Sequence, residues 1–194
     1  MSDLNAALAA IDAENAKDPN LIEWLGEPRP LAQLQGQLAS AWLERVSPDA
    51  NDAVVSAARA HHVRRWSIPR STYPDGRNGY LRWRRDLKAV HARTIAELLG
   101  PMGVSSEVIE RAGELVQKKG LGTDPEAQVI EDVICLVFLQ TQYDPLLARL
   151  GEDKTADAVR KTMAKMGPAG LALAGEATAP GPGRDLLLRL AAEA

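Results

Sequence analysis

Apolar residues recur along this chain at intervals of three and four, the period of a helix with one buried face. Leu4, Leu8 and Ile11 open the pattern behind the cap candidates Ser2 and Asp3. Leu31, Leu34, Leu38 and Trp42 mark a second helix, entered through a Pro28-Arg29-Pro30 turn. Ser47-Pro48 reads as an N-cap followed by an N1 proline, opening a third helix through Val54, Val55, Ala58 and His62. Residues 67–79, SIPRSTYPDGRNG, break the period with two prolines and an Asp-Gly turn. A loop of that length carrying an arginine inside a helical domain is usually a functional one.

A fourth helix starts near Asn78 and runs through Leu87, His91 and Ile95 to Gly100-Pro101. Ser105 and Ser106 cap a fifth that Gly120 ends. Asp124-Pro125 caps a sixth, the most apolar of all, and a seventh covers roughly 152–166. Residues 174–183 read as a flexible Gly/Pro connector before a short terminal helix over 184–194. No repeat and no alternating strand pattern is present. The pattern predicts an all-α fold, a single compact bundle of about seven to eight helices over residues 1–173.

Composition adds one change to this picture. The chain has 194 residues, 45% hydrophobic and 25% charged, which suits a soluble globular domain. No apolar run is long enough for a membrane span, and the acidic N-terminus lacks the basic region of a signal peptide. Cys135 is the only cysteine, so no internal disulfide forms, and a cytoplasmic protein without a membrane partner is expected. The net charge of −3 disfavours nucleic acid as the main partner, but the average hides an asymmetry. Residues 59–93 hold nine Arg and Lys88 against Asp75 and Asp86, a balance of +8 that leaves −11 for the rest. Such a concentration points to a surface directed at a small anionic or phosphorylated ligand. Arg64, Arg65 and Arg70 offer bidentate contacts to phosphate or carboxylate, with Lys88 in the same stretch. Trp66 and Tyr73 either stack on a base or pack the loop. Lys118 and Lys119 either extend the positive charge or complement the helix dipole.

Three ionisable groups fall where the helical pattern expects apolar side chains: His62, His91 and Asp132. A rotation of one position would place His61 inward instead of His62. Two imidazoles and a carboxylate from three helices can make a transition-metal site, whereas core histidines with ordinary hydrogen bonds and a paired Asp are the competing reading. Trp24 and Trp42 either pack within the chain or form a homodimer face.

The order His62, His91, Asp132, the last within DPEAQVIEDVICL, resembles the HD superfamily of helical metal-dependent phosphohydrolases. The chain is also similar end to end to a domain of unknown function, DUF4202. The stretches that carry this are AARAHHVRRWSIPRSTYP, GYLRWRRDLKAVHA, KKGLGTDPEAQVIEDVICLVFLQ and RKTMAKMGPAG. The HD resemblance implies an HD-like core over about 48–145 and a divalent ion (Mn, Fe, Ni, Zn or Mg) on His62, His91 and Asp132. It further implies His91 and Asp132 as catalytic residues, and hydrolysis of a small phosphorylated metabolite or nucleotide. The doublet here is His91-Ala92, lacking the usual Asp, and Lys118 and Lys119 stand where later histidines would complete a binuclear site. The alternative function is non-catalytic binding of an anion or nucleotide in an arginine-rich pocket.

Overall fold

A computed structural model describes residues 4–193, so the cap candidates Ser2 and Asp3 lie outside the described residues. Ten α-helices occur among them, and the all-α expectation holds. The one departure in class is a small hairpin, β1 (Leu21–Trp24) paired antiparallel with β2 (Glu27–Pro30), Leu21 opposite Pro30 and Trp24 opposite Glu27. The sequence reading made this segment a turn. Its two connecting residues, Leu25 and Gly26, both take positive φ (54° and 84°), as a primed hairpin turn requires. Leu-Gly is not the usual signal for that turn, and the prolines of β2 are tolerated because a two-stranded ribbon consists of edges.

Contacts divide the chain into two units, residues 1–40 with 49–119, and residues 41–48 with 120–194. The first contains α1 (Leu4–Asn15), the hairpin, the start of α2 (Leu31–Val46), α3 (Asp52–Ala60), α4 (Gly76–Leu99) and α5 (Ser106–Val116). Here α5 packs on both α3 and α4, and α1 packs on the same pair. Ile11, Ala57, Val63, Leu87, Ile95 and Leu115 fill the space between them. Asn51, not Ser47, caps α3, accepting from the N–H groups of Ala53 and Val54 at 3.1 Å each. Arg59 holds α1 by a bidentate grip on Asp12 at 2.7 and 2.5 Å. Two short 3₁₀ turns, Arg65–Ser67 and Arg70–Thr72, give the loop before α4 a fixed shape.

The second unit contains α6 (Pro125–Thr141), α7 (Tyr143–Leu150), α8 (Glu152–Met163), α9 (Pro168–Leu173) and α10 (Pro182–Ala192). Asp124 caps α6 through the N–H groups of Glu126 and Ala127, as the Asp-Pro pair predicts. α6 packs against α7 and α9, while α8 packs against α7 and α10. Cys135 is buried in α6, as its apolar neighbours require. Trp42 is buried too, its indole N–H donating to Gln140 Oε1 at 2.7 Å, so its partner lies within the chain. In the segment before α10, Ala177 and Thr178 are buried, and Arg184 donates to the Thr178 carbonyl. No helix among the described residues is long and apolar enough to cross a membrane.

Candidate anion-binding site

α3 ends at Ala60, and the chain leaves it through His61, His62 and Val63. His61 is buried, with Nδ1–H donating to the Ala58 carbonyl at 2.8 Å. His62 is partly exposed and sets Nδ1 against Gln35 Oε1 at 2.7 Å. From α4, the buried His91 donates Nδ1–H to the Val63 carbonyl at 2.6 Å. The ring centroids of His61 and His62 are 4.2 Å apart, and those of His62 and His91 6.5 Å. The sequence left His61 and His62 as rivals. The structure uses both.

Acceptor oxygens on Nδ1 place the proton there and leave the Nε2 atoms of His61 and His91 as lone pairs. Dehydration holds the rings neutral: burial pushes His61 and His91 down to about 4 and His62 well below its ordinary value. The Nε2 of His61 is buried and has no hydrogen-bond partner among the described residues. Arg65 is the common neighbour, its positive charge acting on all three imidazoles. Its guanidinium lies 4.7 Å from the Trp83 ring centroid, a cation–π seat. Burial first, and then repulsion from Arg84, push Arg65 down to about 10. Neither Arg65 nor Arg84 forms an ion pair among the described residues. Two guanidinium groups held together without a carboxylate keep N–H donors that can serve an anion.

The other basic and aromatic candidates are occupied. Arg64, in the left-handed region at φ 51°, donates to Glu14 and to Glu97 at 2.6 Å each, and holds the Glu14 carboxyl below its usual range. Arg70 donates to the carbonyls of Tyr73 and Pro74 at 2.9 and 3.0 Å and so braces its own loop. Tyr73 donates its hydroxyl to Asp86 at 2.8 Å. Trp66 sits part-buried in the first 3₁₀ turn. Lys88 has a partner of its own and Lys119 faces Glu114 at 3.6 Å, whereas Lys118 sets its positive charge against His61. Arg84, Gln35 and Trp83 escaped the sequence reading. Arg84 had a signal, since it lies two helical turns before His91 on one stripe of α4. Gln35 had none.

Asp132 belongs to the second unit, where it is buried on α6. Its Oδ1 accepts from the Gly167 N–H at 2.7 Å and from Gln128 Nε2 at 2.8 Å, and its Oδ2 from the Gly170 N–H at 3.2 Å. A Cβ on Gly170 would lie 2.7 Å from the Asp132 carboxyl carbon, so only glycine admits this approach. The carboxylate therefore caps the start of α9 from a distant helix. Among the described residues, no group of three His, Cys, Asp or Glu side chains is arranged to hold a metal ion. Both oxygens of Asp132, the carboxylate that the HD resemblance gives to a divalent ion, accept from donors of its own unit.

No curated protein and no solved structure matches the chain. The model of the family described as Domain of unknown function (DUF4202) matches residues 5–187, nearly the full length, and the chain belongs to that family.

Proposed function

We propose that the first unit binds a small phosphorylated ligand without a metal ion. The observation that carries this is Arg65, part-buried on Trp83, lacking a carboxylate and placed beside Arg84 and three neutral imidazoles. The guanidinium groups donate to the anion. Imidazoles that protonate near 4 are weak bases at neutral pH, so the arrangement suits capture better than proton transfer.

Titration calorimetry with inorganic phosphate and with nucleoside mono- and triphosphates tests this, in the presence of a chelator. Arg65→Ala should weaken binding by at least about tenfold, the scale of a charge-assisted contact, and exposed Arg77→Ala should not. Equal affinities in wild type and Arg65→Ala would sink the reading.

Phosphohydrolysis is the second reading, favoured by the fixed orientation of His91. Its Nδ1 is tied to the Val63 carbonyl, leaving Nε2 to receive a proton once a bound anion raises its basicity. Turnover of p-nitrophenyl phosphate that disappears in a folded His91→Ala variant would put this reading first.

A further inference from the structure

Phosphate capture by Arg65 and Arg84 leaves the outer part of the basic stretch without a role. Arg77, Arg84 and His91 recur every seven residues and so share one stripe of α4. Arg77 and Arg84 are then about 10 Å apart along the helix. Burial gives way to exposure on this stripe: His91 is buried, Arg84 half-buried and Arg77 exposed. Tyr80 and Leu81, between the two arginines, stand 46% and 52% exposed. The Tyr80 ring rests on Trp83 with centroids 5.8 Å apart, and its hydroxyl acts on the Arg65 charge.

Acid is scarce along this stripe. From Gly76 to Arg85 the helix carries four arginines and no carboxylate. Asp75 precedes the helix, and neither Arg77 nor Arg84 forms an ion pair among the described residues. Asp86, two residues past Arg84 and so round the helix from it, is engaged by Arg85 and the Tyr73 hydroxyl. The net charge of −3 does not oppose an anionic partner here, because the negative balance lies outside residues 59–93. Exposed cations interleaved with an exposed aromatic ring fit a single nucleic-acid strand, the arginines taking phosphates and the ring a base. An acidic peptide answers the charge but leaves Tyr80 and Leu81 uncovered.

Resting on the phosphate reading above, we propose that the anion held by Arg65 and Arg84 is the terminal phosphate of a short single-stranded oligonucleotide. Its first base stacks on Tyr80 and its next phosphate meets Arg77. The test is calorimetric titration of the full chain, with chelator present, using three probes. These are dTMP, a thymidine tetranucleotide phosphorylated at both ends, and the same tetramer phosphorylated at neither. The phosphorylated tetramer should bind at least about tenfold tighter than either other probe, and lose affinity more steeply as salt rises. Arg77→Ala and Tyr80→Leu should each weaken the tetramer about fivefold or more with helical circular dichroism unchanged, the leucine keeping Trp83 covered. Binding of dTMP with no gain for the tetramer overturns the proposal and leaves the phosphate reading standing, whereas binding of neither overturns both. A tetramer affinity that neither variant moves, or that loss of the terminal phosphates does not weaken, also overturns it. Hexaglutamate bound as tightly as the tetramer would assign the surface to an acidic protein instead.

Discussion

Asp132 and the three histidines are the polar residues that an apolar pattern cannot explain, and they meet burial in opposite ways. Asp132 is matched by donors, two backbone N–H groups and one amide. Asp132→Ala strands those donors and should lower stability by about 2–3 kcal/mol in urea unfolding, without changing phosphate affinity. His61 and His91 instead lose the means to become charged. Each protonates near 4 in the folded chain against 6.5 when unfolded, so the unfolded chain takes up protons first as pH falls. Stability is therefore intact above about pH 6.5 and declines as pH moves toward 4, by about 3 kcal/mol at most for each residue. Urea midpoints at about pH 7.5 and about pH 5 should differ accordingly, and His61→Gln should flatten the slope. The sequence marked these residues as out of place. Their partners, 28 residues away for His91 and 35 and 38 for Asp132, lay beyond any local pattern.

Helices were legible as far as their signals are local. The Asp124 cap and the Ser105 cap follow from side chains that reach their own first turn. Ser47-Pro48 carried the same signal and lost, because Asn51 stands closer to the helix that the core selects. Asn51→Ala should cost about 1 kcal/mol in thermal unfolding, whereas Ser47→Ala should cost almost nothing. The start of α4 depends on a glycine that the sequence did not single out. A Cβ on Gly79 would run into the Pro74 carbonyl oxygen, so Gly79→Ala must push the loop away from the helix. We expect a loss of about 1–3 kcal/mol and weaker phosphate binding, since Arg84 and Trp83 follow in the next turns. Gly100→Ala, with open space around its Cβ, is the control and should leave both unchanged.

For the whole molecule, the two units give the predictions a spatial form. Hydrogen exchange of Asp132→Ala should quicken in residues 120–194 and stay at the wild-type rate in residues 49–119, because α9 packs on α6. The charge asymmetry also resolves at this scale. Arg59, Arg64, Arg85 and Arg93 face Asp12, Glu14, Asp86 and Glu97; of the five arginines without such partners among the described residues, Arg77 and Arg82 are exposed, Arg70 braces its own loop, and Arg65 and Arg84 lie beside the imidazoles. Added salt should thus weaken phosphate binding clearly while moving the unfolding midpoint little, as exposed pairs contribute little to stability.

By itself the sequence determined the all-helical class, most of the helix positions, the basic stretch and the few polar residues out of keeping with an apolar face. These are properties of neighbouring positions, written in a period of 3.6 residues and in side chains that cap their own turn. Tertiary structure alone decided which charges are matched, because Arg64 meets Glu14 across 50 residues and Asp132 meets the start of α9 across more than 30. It matched Asp132 with donors of its own unit, engaged both His61 and His62, and left Arg65 on Trp83 with no acid beside it. Hydrogen bonds and ion pairs are set by distance in space, and chain spacing does not encode it.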